Sequence, residues 1–498
     1  MQHLSAASNW PVFRREALQT LERQLQACSQ TPLMQHAGLA AARLAQAIAP
    51  YAQRIWVAAG PGNNGGDGLE AAIHLHRAGK AVIVSLQGER DKQPADAQAA
   101  LGRALQAGVT VQTQAPLSWI ASMSEQDLCM DAMLGLGASR PLTAEMQAWV
   151  DAMNQSRAWV LALDMPTGLN PESGQLLGEA TPADVVNADH CLSFIAAKPG
   201  LFMGHGRDVC GEIWLDKLES LKSLSTTAPS PVPQALLNTP LPALHKTHAS
   251  HKGSHGDVAV IGGEPMGLNG MGMSGAAVLA ATAALHAGAG RVILSLLGES
   301  GLSVPPDLMQ RQWQQLDLPS LHVVCGCGGG RAIQPLLADV LTRSEQLVLD
   351  ADGLNAVAEN ETLAEALRHR GPKLATVITP HPLEAARLLK TKTPAIQNNR
   401  LKAAQDLADL FDCVVVLKGS GTVIAAPGQI PRINTTGNGK LAIGGTGDVL
   451  AGLIGARMAQ GLSAFDAACA AVHQHGQMAD TWPSGQSLTA SQLAQALY

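Results

Sequence analysis

Aromatic side chains are scarce in this chain of 498 residues: Phe, Trp and Tyr together make up 3% of it. Proteins that hold single-stranded nucleic acid on stacking platforms draw on such rings. Charge of one sign is lacking too. With 34 Lys+Arg against 40 Asp+Glu the formal charge is −6, so there is no overall basic field of the kind that releases counterions from a phosphate backbone. A nucleic-acid partner is therefore not expected. No apolar run approaches the ~18 residues that a membrane span needs. The longest, Ala276 to Leu285, ends at His286 and reads as a buried helix, so no membrane partner is expected either. The eight Cys (28, 129, 191, 210, 325, 327, 413 and 469) include no CxxC pair and no regular spacing, which argues against a disulfide framework and a structural zinc site. A reducing cytoplasm suits such cysteine usage best. The opening MQHLSAASNWPVFRREALQT lacks a charged start followed by an apolar stretch, so no secretory signal is expected.

What the chain has in quantity is apolar residues, 46%, and glycine, 50 residues or about a tenth of the total, with 28 Pro and only 15% charged residues. That composition fits neither disorder nor a coiled coil. The length gives a prior of two to four domains. From about residue 55 onward, strand-like apolar runs alternate with helical patterns, the signature of βαβ units on a largely parallel sheet. In the first unit Ile55–Ala59 reads as a strand, Gly60–Gly68 as a turn, Leu69–Ala78 as a helix and Ala81–Leu86 as the next strand. Between Leu218 and Lys252 the pattern fails in a stretch dense in Ser, Thr and Pro, which marks an interdomain linker. The expected organisation is thus two doubly wound α/β domains, residues 1–222 and 251–498, joined by a linker over 223–250.

Residues 60–68, GPGNNGGDG, fall between a strand and a helix, where an open α/β sheet places ligands. Gly60, Gly62 and Gly65 satisfy G-x-G-x-x-G, but Asp67 would stand where a pyrophosphate should bind, and two anions there repel. Asn63, Asn64 and Asp67 instead offer oxygens and amides for a hard cation or for hydroxyls. An Asx-rich turn that only caps a helix is the plainer alternative. Asp131 and Asp164 each close a further apolar run. Three such loops would converge on one edge of a parallel sheet, which favours a ligand or ion site.

These residues resemble the N-terminal domain of the NAD(P)H-hydrate repair enzymes, the YjeF N-terminal domain. The likeness rests on LMQHAG at 33–38, GPGNNGGDG, DAMLGLGASRP and DMPTGLNPESG. It implies a Rossmann-like three-layer αβα fold, an epimerase interconverting the R and S forms of hydrated NADH and NADPH, a bound potassium ion, and homo-oligomers. By motif, Asn63, Asn64, Gly65, Gly66 and Asp67 would contact the substrate. Gly135, Leu136, Gly137, Ala138, Ser139, Arg140 and Pro141 would hold its phosphates, while Asn64, Asp131 and Thr167 would hold potassium. Asp164 would transfer the proton. Met165-Pro166-Thr167 stands where the family usually has Ile-Pro-Ser, and the Thr hydroxyl remains a competent oxygen ligand. On chemistry alone, a carboxylate at a strand end suits the proton movement that epimerisation at a carbon beside nitrogen requires; capping the loop that ends in Gly168 is the alternative.

In the second half, GGTGDVLAG at 444–452 precedes a helix of small residues. A glycine-rich turn at a helix start presents free N–H groups to an anion. Asp448 in that turn could accept a proton from a hydroxyl about to be phosphorylated; N-capping is the alternative. VVVLKGSGT at 414–422 is a buried strand ending in Lys-Gly, suited to a nucleotide phosphate. With HKGSHGDVAVIGG (251–263), GMSGAAVLAATAALHAGAGRV (272–292), DADGLNA (350–356), TPHPLEAARLL (379–389) and NTTGNGKLAIGGTGDVLAGLIGA (434–456), these segments resemble the ribokinase-like fold. Within it they are most similar to the ADP-dependent NAD(P)H-hydrate dehydratases. The resemblance implies that ADP phosphorylates the hydroxyl of the S hydrate and that phosphate then leaves, giving AMP, phosphate and the repaired cofactor. Asp448 would be the base; Lys418, Gly419, Ser420, Gly421, Thr422 and Gly447 would bind the nucleotide. Ala276, Gly328 and His381 would line the hydrate pocket, and Mg2+ would balance phosphate charge. His381, set between two prolines, has a structural role as its alternative.

Two departures stand out. Gly326-Cys327-Gly328-Gly329-Gly330 replaces the family's usual Gly-Pro-Gly-Leu-Gly, and Gly437-Asn438-Gly439-Lys440-Leu441 replaces Gly-Asn-Pro-Gly-Met. Two other functions compete with the repair reading. One is a vitamin-type kinase with a helper domain, against which TPHPLEAARLL and the NNGGD domain speak. The other is a non-catalytic scaffold, against which Asn64, Asp131 and Asp164 speak together.

Overall fold

Strand β2 (Arg54–Ala59) shows how the first half is built. Its side chains alternate: Ile55, Val57 and Ala59 join the apolar cluster formed with helices α2 (Leu33–Ile48) and α3 (Asn63–Arg77). Trp56, on the opposite face, meets Trp149 edge-on at 6.2 Å between ring centroids and donates its indole N–H to Ser85 Oγ at 3.0 Å. In the computed structural model every residue is described except 5–7, 219–230, 242–246, 267–271, 300 and 498. One unit takes in the opening residues, Gln2–His3 among them, and Trp10–Ala235, and a second runs from Leu236 onward.

The first unit holds an eight-stranded sheet. Besides β2 its strands are β1 (Gln2–His3), β3 (Ala81–Leu86), β4 (Thr110–Gln112), β5 (Leu128–Ala132), β6 (Trp159–Leu163), β7 (His190–Phe194) and β8 (Glu212–Asp216). Their lateral order is β1-β8-β7-β6-β5-β2-β3-β4, parallel throughout except for β1 on β8. The order reverses between β2 and β5, so the crevice at a doubly wound switch point opens beyond their C-terminal ends.

Helix α3 begins at Asn63, not after Gly68. The turn expected over 60–68 is in large part the first turns of a helix, and its glycines serve close packing. A methyl group on Gly65 would lie 2.0 Å from the Gly60 carbonyl oxygen, and one on Gly68 would lie 2.6 Å from Ala132 Cβ. Glycine thus lets the helix start press directly onto the strand ends.

The second unit repeats the doubly wound plan. Its strands are β9 (Ala235–Leu237), β10 (Asp257–Gly262), β11 (Arg291–Leu296), β12 (Met309–Gln310), β13 (His322–Cys325), β14 (Gln346–Leu349), β15 (Ala375–Ile378), β16 (Val414–Leu417), β17 (Val423–Ala425) and β18 (Arg432–Ile433). They lie in the order β12-β11-β10-β13-β14-β15-β16-β17-β18-β9, parallel from β12 to β16, with the switch between β10 and β13. Of the expected linker, 223–230 and 242–246 lie outside the described residues, as does the 222/223 boundary. The described stretch between them contributes β9, which pairs parallel with β18.

One face of this sheet carries Val258, Val260, Val324 and Val348 against helices α6 (Ser274–His286) and α10 (Thr446–Ala459). These two helices approach closely because their contact residues are small: a methyl group on Gly452 would lie 1.9 Å from the Ala280 carbonyl oxygen. Gly452→Val should therefore force α10 away from α6 and carry Asp448, one turn earlier, out of position. Overpacking of this kind costs about 1–3 kcal/mol, so the second unit should melt at lower temperature. Unfolding followed by circular dichroism checks this; an unchanged melting temperature would contradict it.

Candidate functional site

Each unit gathers its chemistry-bearing residues at the C-terminal ends of its strands. In the first, Asp164 follows β6 with φ of +66°, a left-handed conformation that Asp tolerates better than most residues. That turn fixes both carboxylate oxygens. Oδ1 pairs with Lys198 Nζ at 2.5 Å, and Oδ2 accepts from the Leu136 N–H at 2.9 Å. Lys198 is almost wholly buried, and its ammonium also donates to Ser193 Oγ at 2.8 Å. Gly135 lies against this carboxylate: a methyl group there would sit 2.9 Å from Asp164 Oδ2 and 3.3 Å from Asn64 Cγ.

Asp131, at the end of β5, is fully buried. Its Oδ2 accepts from the Thr167 N–H at 2.7 Å, and its Oδ1 accepts from the Thr167 hydroxyl at 2.8 Å and the Met133 N–H at 3.1 Å. Burial pushes its carboxyl up to about 6 although these hydrogen bonds oppose the shift. Asn64 is buried with neither its amide oxygen nor its amide nitrogen hydrogen-bonded. A buried orphan amide is costly, and it points to a ligand. The oxygens of Asn64, Asp131 and Thr167 are a hard donor set, so these residues fit a potassium ion.

A cavity of about 480 Å³ opens beside Asn64 and Asp164, lined also by Glu22, Asn63, Asp67 and Lys198, while Asp131 and Thr167 are not part of its lining. That volume suits a small-molecule ligand. Asp67 lines the cavity, and its carboxyl is pushed well above the usual carboxylate range by burial first and then by Asp164, Glu22 and Glu70. Of the loop expected to hold phosphates, Gly135 to Ala138 line the cavity. Ser139, Arg140 and Pro141 are exposed and do not. Gly65 and Gly66 are buried beneath it.

In the second unit Asp350 closes β14 and ties three elements together. Its Oδ1 pairs with Lys418 Nζ at 2.7 Å and accepts from the Thr379 hydroxyl at 2.6 Å. Lys418 ends β16, and the turn that follows it is held from beneath by Arg400, a fully buried guanidinium on α9 (Arg400–Phe411). Arg400 donates to the carbonyls of Leu417 at 3.0 Å and Lys418 at 3.1 Å. Gly447 lies against the lysine: a methyl group there would be 3.3 Å from Lys418 Nζ. Asp448, beside it in the first turn of α10, brings a carboxylate oxygen within 4.8 Å of ligand atoms of both Asp350 and Cys327. Burial first, and then Asp350, push the Asp448 carboxyl up to about 6.

Gly328, at φ of +58°, packs on Ala276, as a methyl group there would lie 2.8 Å from Ala276 Cβ. His381 caps helix α8 (Pro382–Leu388): its Nδ1 accepts from the N–H groups of Leu383 at 3.1 Å and Glu384 at 3.3 Å, while Glu384 accepts from the His381 N–H. The structural alternative for His381 is thus realised, at a point where Lys418 and Asp350 still act on it electrostatically.

Sequence reasoning missed Lys198, Glu22, Asp350 and Arg400. Lys198 sits in IAAKPG just beyond a strand end and was legible by the rule that singled out Lys418. Asp350 closes the apolar run QLVL as Asp164 closes its own. Glu22 and Arg400 lie in ordinary helical patterns and carried no signal.

Two doubly wound units, one with a lysine-held carboxylate at a ligand-sized cavity and one with a buried carboxylate at a glycine-rich helix start beside a lysine turn, define a two-centre enzyme for small molecules. Family comparison agrees. Residues 30–200 match the YjeF-related protein N-terminus and residues 258–497 match NAD(P)H-hydrate dehydratase. The chain is 38% identical to the Escherichia coli bifunctional NAD(P)H-hydrate repair enzyme, over 90% of this chain and 84% of that protein. It is 35% identical to the Coxiella burnetii enzyme of the same name, over 94% of each. The second half is 39% identical to the Neisseria meningitidis ADP-dependent (S)-NAD(P)H-hydrate dehydratase, over 49% of this chain and 83% of that one. The chain belongs to the family of bifunctional NAD(P)H-hydrate repair enzymes, its first part the epimerase and its second the ADP-dependent dehydratase.

A base that must be ionised loses activity as pH falls through its pKa. On the expectation that Asp448 is that base, its carboxyl at about 6 should leave kcat/KM for dehydration flat above that pH and falling about tenfold per unit below it. A rate profile on the S hydrate from pH 4.5 to 8 checks this; a flat profile down to pH 5 would remove Asp448 from the role.

Proposed function

We propose that Asp164 moves the proton in epimerisation and Asp448 takes the hydroxyl proton in dehydration, residues 1–222 carrying the first reaction and 251–498 the second, with 223–250 between them. The carrying observation is that Asp164 is the carboxylate fixed on both oxygens, by Lys198 and by the Leu136 N–H, at the wall of the cavity. R and S hydrates differ at a carbon bearing both a hydroxyl and the ring nitrogen. Inverting it requires a proton to be delivered and another removed. Asp164 is placed to exchange one, and Asn63, Asn64 and Asp67 line the same space to bind substrate hydroxyls and amides. Gly135 to Pro141 are assigned to the substrate phosphates. Potassium, held by Asn64, Asp131 and Thr167, would supply a fixed positive charge beside them.

In the dehydratase, Asp448 accepts the proton of the substrate hydroxyl as the phosphoryl group of ADP arrives. Lys418 is placed to face the phosphates, with Gly447 leaving room for them and the 419–422 turn holding the rest of the nucleotide; Mg2+ would offset the phosphate charge. Ala276, Gly328 and His381 border the hydrate. The proposal extends to both NADHX and NADPHX as substrates and to a homo-oligomer. It also extends to a reducing cytoplasm, which suits eight cysteines that are all free thiols. Among the described residues no helix is long and apolar enough to cross a membrane.

A mixture of R and S hydrates with ADP, followed by absorbance of the restored dihydropyridine, separates the two assignments. Wild type should recover the whole mixture. Asp164→Asn should stop at the S fraction beyond spontaneous epimerisation, and Asp448→Asn should recover none while still equilibrating the epimers. Full-rate recovery of the R fraction by Asp164→Asn would overturn the first assignment, and dehydration by Asp448→Asn the second.

A further inference from the structure

We propose that Cys327, the residue standing where the family usually has proline, is a positioning residue for Asp448: its thiol donates to the Asp448 carboxylate and holds that carboxylate toward the substrate hydroxyl. This rests on Asp448 being the base of the dehydratase.

The geometry carries it. Cys327 lies in the turn after β13 and is fully buried. Its Sγ and one carboxylate oxygen each of Asp350 and Asp448 all lie within 4.8 Å of one another. The two carboxylates have different supports. Asp350 is secured by Lys418 at 2.7 Å and by the Thr379 hydroxyl at 2.6 Å. Asp448 makes no ion pair among the described residues, so a donor beside it has a larger share in fixing its orientation. The thiol cannot be a competing anion there: burial first, and then the charges of Asp448 and Asp350, push it well above the usual thiol range. A protonated thiol against a carboxylate can act only as donor. The same contact favours the ionised Asp448 and opposes the upward push of burial and of Asp350.

The backbone of the turn fixes the sulfur. The Cys327 carbonyl accepts from the Gly263 N–H at 3.0 Å, and a methyl group on Gly262 would lie 2.3 Å from that carbonyl oxygen, so the turn is pinned to the end of β10. Proline at 327 would keep this carbonyl but could offer no donor. The other charged groups acting on Asp448 are Asp350, Lys418 and Asp352. Glu384 and His381 interact electrostatically with Lys418 and Asp350. Removing the thiol leaves all of these in place.

The test is the pH profile of dehydration by the full-length enzyme on the S hydrate with ADP, for Cys327→Ala, Cys327→Ser and wild type. Losing one weak donor to a carboxylate should raise the acid limb of kcat/KM by roughly half a unit. At pH 6 the alanine variant should therefore run roughly twofold slower beyond any pH-independent loss of orientation. Serine, a shorter but stronger donor, should return the limb to its wild-type position or below. Epimerisation assayed in the same samples and circular dichroism report whether each variant is folded. If the alanine and wild-type limbs coincide, or if serine behaves as alanine does in folded protein, the positioning role is wrong. If no variant, wild type included, shows an acid limb, the assignment of Asp448 fails instead.

Discussion

Burying an ammonium group is tolerable only if a carboxylate and further acceptors are waiting for it, because desolvation costs several kcal/mol per ion before pairing is counted. In the first unit that condition organises everything around the cavity. Lys198 is almost wholly buried and ends on Asp164 and Ser193. Asp164 can meet it only by turning the chain to positive φ immediately after β6, and the loop at Gly135 can close over the carboxylate only without a side chain. Asp164 stands next after burial among the causes that push the neighbouring Asp67 carboxyl up. The cavity thus holds two carboxyl groups in different environments, one paired with a lysine and one pushed up by burial, an arrangement suited to proton exchange.

The second unit uses the same parts with the work divided differently. Lys418 and Asp350 form the buried pair, and Arg400 anchors the turn that carries the lysine. Here the paired carboxylate is a support. Its negative charge acts on Asp448, which makes no ion pair among the described residues and whose carboxyl is pushed up to about 6, close to where a base is both ionised at neutral pH and still basic enough to take a proton. The small-residue contact between α6 and α10 sets the depth at which Asp448 sits. Packing on one face of the sheet and electrostatics at its edge are therefore coupled through a single helix start.

Much of this was legible in the sequence. The two doubly wound units follow from alternating apolar runs, and Asp131, Asp164 and Asp448 stand out because each closes or opens an element at the ligand-binding edge. What escaped had physical reasons. Strands β4, β9, β17 and β18 are two or three residues long, too short for any period to show, and β9 falls in a Pro-rich stretch. The start of α3 was misplaced because glycines that serve close packing look like glycines that serve a turn. Lys198 and Asp350 were within reach of the strand-end rule. Glu22 and Arg400 were not: Glu22 reaches the cavity from a helix far earlier in the chain, Arg400 reaches the Leu417 and Lys418 carbonyls from α9, and nothing in the local pattern around either marks it.

We assign each lysine-held carboxylate, Asp164 with Lys198 and Asp350 with Lys418, a part in one of the two reactions. Lys198→Met and Lys418→Met in the full-length enzyme, with R-to-S exchange and dehydration of pure S hydrate measured separately and folding followed by circular dichroism, test it most directly. Lys198→Met should lose exchange by about a hundredfold or more while dehydration continues, and Lys418→Met should do the reverse, in keeping with the usual worth of a positioned proton-transfer or charge-stabilising group. Folded variants that keep both half-reactions at wild-type rates would contradict it.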